Sequence, residues 1–176
     1  MESIRRDAIV AAMTGTTTDA REIADQTATI VAFLRGVGIA VEEAALPDDG
    51  FLPAIAVKDG VLFYDPARLQ WPGDLLHEGG HLAVTDPALR PTVSEFDSNG
   101  GDEMAAMAWS YAAALAAGID PRVVFHDHGY RGGGGHIAEV YADKRYIGLP
   151  MLQYYGLARF PQDDGEQYPA MIKWLR

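Results

Sequence analysis

Two imidazoles and a carboxylate fall close together in the run His77-Glu78-Gly79-Gly80-His81. On a helix, residues four apart share a face. His77 and His81 can then aim their rings at one cation, with Zn–N bonds of about 2.0–2.1 Å. Glu78 is turned about 100° from His77 by the 3.6-residue helical repeat. A carboxylate there flanks the cation and can take a proton from water held on it. These residue types therefore allow metal-assisted hydrolysis. The plainer alternative is an ordinary helix carrying two surface histidines. A pentapeptide of this kind recurs by chance, so its surroundings must carry part of the case.

A catalytic zinc takes three protein ligands and keeps a fourth position open. Glu103, 22 residues beyond His81, is the choice for the third. It opens an alanine-rich segment, where a carboxylate also suits the helix dipole. Asp102, Glu95 and the later histidines His126, His128 and His136 compete with it. His136 and Tyr130 are also assigned a minor catalytic role, as donors to a developing negative charge.

These groups need elements to hold them. Pro72 fits a first helical position, and Asp74 fits the first turn, so a helix is expected from about residue 72 to Val84. Thr85-Asp86-Pro87 then stops it. Gly79 and Gly80 oppose helix by about 0.8–1 kcal/mol each. They are read as places where another chain segment comes very close. The partner expected is the helix from Asp102 to about Ala117, whose many alanines permit close approach and whose stop is Gly118.

Upstream, Ala54–Val57 and Val61–Tyr64 flank Lys58-Asp59-Gly60, the signal of a β-hairpin. Gly38 to Leu46 is a further candidate strand. Residues 3–13 suggest a short helix, then a break at Gly15 and three threonines. A second helix is expected from Thr18 or Asp19 to Gly36. Downstream, 123–125 reads as a short strand. Residues 136–146, 149–158 and 168–176 read as helical pieces. Gly132 to Gly135 reads as a mobile loop, and lacks the Gly-Lys-Ser/Thr of a phosphate loop.

With 176 residues the chain is expected to form a single domain, 1–176. It has no cysteine, so disulfides and thiolate metal sites are excluded and any transition metal must use His, Asp and Glu. A formal net charge of −11 opposes binding to nucleic acid or to an anionic membrane. No apolar run approaches a membrane span, and the first residues lack a secretory pattern. The expected location is cytoplasmic.

HEGGH on a helix, after a hairpin and before a helix opening Asp102-Glu103, resembles the gluzincin branch of zinc peptidases, and in particular small zincin-like domains. The resemblance covers residues 54–117. It implies an α+β fold, with a small antiparallel sheet packed on the HExxH helix and on the alanine-rich helix after it. It implies Zn²⁺ on His77, His81 and Glu103, with Glu78 as general base and then general acid in peptide-bond hydrolysis. The implied partner is a peptide or protein substrate, lying along residues 61–64. The alternative is a zincin-like module that binds or regulates without cleaving. In one respect the chain departs from the family. Thermolysin-type members place an Asp four residues after the ligand Glu, and Met107 stands there. Asp74 or Asp102 would have to orient a motif histidine instead.

Overall fold

The structure, a computed structural model, describes residues 2–47, 52–96, 100–129, 133–145, 147–163, 165–166 and 169–176, with side chains described from residue 19 onward. Among these residues the chain is mixed α/β, with six α-helices, a three-stranded sheet and a two-stranded sheet. No helix among them is long and apolar enough to cross a membrane. The first helix, α1, runs unbroken over Glu2–Gly36. The break expected at Gly15 does not occur. One glycine costs a helix about 1 kcal/mol, which weakens a long helix without ending it.

The hairpin forms as its sequence predicts. Strand β2 (Ile55–Lys58) pairs antiparallel with β3 (Val61–Tyr64). Asp59 (φ 49°) and Gly60 (φ 75°) make the turn, both in the left-handed region that a type I′ turn requires. The third strand, β1 (Val41–Glu43), corrects the expectation of an antiparallel sheet. It pairs parallel with β3, so the order is β1-β3-β2 and the sheet is mixed. Alternating side chains show that a segment is a strand, but not which neighbour it takes or in which direction.

Side chains fix β1 in place. The Arg35 guanidinium donates to the Val41 carbonyl at 2.8 Å, and the Tyr64 hydroxyl donates to Glu43 Oε1 at 2.7 Å. Burial, reinforced by that Glu43 bond, pushes the Tyr64 phenol up to about 12. The Tyr155 phenol is likewise pushed up to about 12 by burial and by its bond to Asp102. A phenol that ionises later in the folded chain contributes stability fully below pH 10, its ordinary value. That contribution is lost as pH rises from 10 through 12. Denaturant midpoints should therefore fall across this window. Tyr64→Phe and Tyr155→Phe should each flatten the fall, which paired unfolding curves at pH 9 and 11.5 would measure.

The site is positioned by two helices, α2 (Asp74–Val84) and α3 (Gly100–Ala117). Ala105, Ala106, Ala108, Ala112, Ala113 and Ala114 are all fully buried, as the alanine-rich pattern predicts. The glycine pair divides its work. A Cβ on Gly80 would lie 2.8 Å from the Ala106 carbonyl oxygen and 2.9 Å from Ser110 Oγ, so this glycine is where α3 closes on α2. A Cβ on Gly79 would meet Leu34 of α1 at 2.6 Å instead. Ser110, fully buried, places its hydroxyl 2.6 Å from the Ala106 carbonyl and 3.1 Å from that of Leu76 on α2. Gly80→Val should destabilise the chain by about 1–3 kcal/mol through overpacking. At about 2–4 °C per kcal/mol for this size, a thermal melt reads the effect. Gly135→Ala, with nothing within 4 Å of the added carbon, should not lower Tm.

Helix α3 ends at Gly118 (φ 72°), whose N–H donates to Leu115 while that of Ile119 reaches back to Ala114. This is the Schellman arrangement that the glycine stop predicts. Residues 123–125 are not a strand: Pro121–Val124 forms one helical turn, α4, capped by Asp120, which accepts from the Arg122 N–H at 2.9 Å. The Asp-Pro pair is cap and first helical position, and it outweighs the β-branched residues after it. Two more helices follow, α5 (Gly134–Ala142) and α6 (Leu149–Tyr154).

The helix expected at 168–176 is absent from the described part of that range. Ala170–Met171, as β5, pairs with β4 (Ala158–Arg159), and both Ile172 and Lys173 donate to the Leu157 carbonyl. The final residues strap the helices together. Trp109 Nε1 donates to the Trp174 carbonyl at 2.9 Å, and the Arg176 N–H donates to Ala83 at 3.0 Å. Arg90 gathers the carbonyls of Leu82, Thr85 and Arg176 at 2.8–3.1 Å, closing the end of α2.

Candidate metal centre

Helix α2 is entered through a tight turn. The Asp74 N–H donates to Trp71, that of Leu75 to Pro72, and that of Leu76 to Gly73. The regular helix thus begins two residues after Pro72, at Asp74. Leu75, Leu76, Gly79, Gly80, Leu82 and Ala83 are buried. Asp74, His77, Glu78 and His81 recur at intervals of three and four, so they share the other face.

Glu103, in the first turn of α3, meets that face. The Nε2 atoms of His77 and His81 are 3.2 Å apart. Glu103 Oε1 is 3.4 Å from His77 Nε2, and its Oε2 is 3.1 Å from His81 Nε2. With bonds of 2.0–2.1 Å, two corners of a zinc tetrahedron are about 3.3 Å apart. The nitrogen–nitrogen separation matches that edge, and each Glu103 oxygen lies close to that distance from one of the two rings. Among the described residues, this is the one cluster of three or more His, Cys, Asp or Glu placed to hold a metal ion. Glu95 is exposed and outside it.

The electrostatics follow from the convergence. Two ring nitrogens and a carboxylate converge on one point, an arrangement that favours positive charge there. Hydrogen bonds from His77 and His81 hold the Glu103 carboxyl far below the ordinary range. Burial pulls His77 down, but its bond to Glu103 and the charges of Glu78, Glu103 and Asp74 outweigh that and raise it. Burial also raises Glu78, against the opposing pull of the two histidines. A carboxylate raised in this way is a stronger base, and it feels the charges of His77, His81 and Glu103.

The remaining candidates are elsewhere. Asp102 accepts a hydrogen bond from the Tyr155 hydroxyl. Asp74 accepts from His126 Nε2 at 2.9 Å. The Gly129 N–H donates to His126 Nδ1 at 3.1 Å, which leaves Nε2 as the donor to Asp74. Trp71 stacks on His126 at 5.4 Å and lies 5.0 Å from the His128 ring. These two histidines form an aromatic group at the start of α2, separate from the donor cluster. His136 is exposed on the first turn of α5, and no bond among the described residues joins it to the cluster. Tyr130 lies outside the described residues, as does Gly132 of the glycine run. Gly134 begins a helix, where an added Cβ would meet the Phe125 carbonyl at 2.2 Å.

Residues 61–64 do not offer a free strand edge. Strand β3 is central, so β1 and β2 occupy both its sides. Sequence reasoning also missed Phe96, whose ring stacks on His81 at 4.8 Å and 23°. A lone aromatic in a loop carries no periodic signal, and its neighbour is 15 positions away. Compared with protein-family models, with curated proteins and with solved structures, the chain finds no match.

Proposed function

We propose that this chain is a zincin-like, zinc-dependent hydrolase of peptide bonds. The observation that supports the reading best is the convergence of His77 Nε2, His81 Nε2 and the Glu103 carboxylate, with nearest separations of 3.1–3.4 Å, on two interlocked helices. The donor set suits zinc in a catalytic setting, since two imidazoles and one carboxylate leave a coordination position open. When bound, the ion would polarise a carbonyl and make water a nucleophile near neutral pH.

The chain's own residues do the rest. His77 and His81 hold from α2, and Glu103 holds from α3. Glu78, half-buried beside His77, accepts a proton as the nucleophile forms and returns it to the departing amine. The buried side of α2 keeps the helix fixed while this occurs. The substrate class is a peptide or protein, and the acidic surface disfavours phosphate-backbone ligands.

A second reading is a module that holds the metal but does not cleave. The observation in its favour is Met107, which stands where thermolysin-type members carry a carboxylate, with Asp74 and Asp102 committed to His126 and Tyr155. Cleavage of a peptide library by the zinc-loaded chain, abolished by a chelator and restored by zinc, supports the hydrolase. Zinc at one equivalent by mass spectrometry with no cleavage supports the module. A folded chain that takes up no zinc overturns both.

A further inference from the structure

We infer that Phe96 is a positioning residue for the metal ligand His81, fixing its ring by stacking where a carboxylate would otherwise fix it by a hydrogen bond. The inference rests on the metal-site reading above. His81 is 8% exposed, so its surroundings leave the ring little freedom. One face lies against Phe96, at 4.8 Å and 23° between planes. The His77 ring meets it edge-on, at 4.8 Å and 85°. Its Nε2 faces Glu103 at 3.1 Å. A stacked ring sets the imidazole plane, and with it the direction of the Nε2 lone pair. Histidine ligands ordinarily get this from a partner on the other ring nitrogen.

Phe96 is itself anchored. The Gly60 N–H donates to the Val93 carbonyl at 2.8 Å, and the Asp59 N–H donates to Ser94 Oγ at 3.1 Å. A Cβ on Gly60 would lie 2.3 Å from the Arg90 carbonyl, so the hairpin tip presses directly on this segment. The β2–β3 hairpin therefore reaches the metal site through the backbone at 93–94 and the ring at 96. Stacking differs chemically from a carboxylate partner. It fixes orientation without adding electron density to the imidazole.

The test uses the full chain and zinc alone, with affinity measured by chelator competition. Phe96→Leu keeps apolar bulk but loses the flat face, and should raise the zinc Kd by about 10–100-fold, the usual effect of losing an orienting partner. Phe96→Tyr keeps the flat face and should bind as the parent chain does. Proton NMR of the zinc-free chain supplies a second readout. The His81 ring protons should be shifted by the Phe96 ring current, and that shift should vanish in Phe96→Leu and persist in Phe96→Tyr. Equal zinc affinity in the Leu and Tyr variants overturns the positioning role while leaving the metal site standing. A parent chain that binds no zinc removes the metal reading and the role together. In that case the ring-current shift still reports whether the rings stack. If Phe96→Leu does not fold, Ser94→Ala replaces it, and an unchanged Kd there overturns the anchoring.

Discussion

Glu78→Gln should keep its zinc and lose about 10²–10⁴-fold in kcat, the usual contribution of a positioned general base. The amide matches the carboxylate in shape, so α2 and its two histidines stay where they are. What disappears is the ability to accept a proton. Glu78 is neither at the Gly80–Ala106 contact nor among the buried residues of α2, so the melt of the variant should match that of the parent. Three measurements on one sample decide the matter: zinc content, Tm and peptide turnover. Unchanged turnover would falsify the base assignment. Zinc lost together with turnover would mean that the carboxylate serves the ion and not the proton.

The second large effect concerns stability. Zinc added to one hundred times its Kd should stabilise the parent chain by about 2.7 kcal/mol, because it binds the folded state alone. That corresponds to a Tm rise of about 5–11 °C at this chain length. The same zinc should leave His81→Ala almost unmoved. Its remaining donors, His77 and Glu103, form one edge of the set and cannot enclose a cation. His126→Ala is the control. That ring sits at the other end of α2 on Asp74, so its loss should leave the zinc-induced shift unchanged. A rise in His81→Ala equal to that of the parent would move the binding site elsewhere.

Much of this site is legible in the residues themselves, because its logic is local. Histidines four apart declare a helical face, and Gly118 and the Asp59-Gly60 pair declare a stop and a turn. Glu103 follows from two steps, its ligand type and the expectation that an alanine-rich helix must close on a glycine. What cannot be read is whatever depends on distant chain. The parallel pairing of β1 with β3 has no signature in Val41–Glu43. The His126–Asp74 bond spans 52 positions and the Trp109–Trp174 bond spans 65. The helical spacing of residues near the end of the chain is a true pattern, but pairing with β4 outcompetes it. The glycine pair is half legible. Close packing at Gly80 follows from the alanines, whereas nothing in the motif names Leu34 as the neighbour of Gly79.

The contact between Gly80 and Ala106 lies beneath the donors, and neither residue is a donor itself. Packing, then, sets the width of the cradle. A frame of that kind does not resize itself for one ionic radius over another. The donors alone would rank first-row divalent ions by the general series, in which affinity rises from manganese through cobalt to copper and falls again at zinc. On the proposed reading, that fixed width and the cell's supply of each ion would together decide which one is carried.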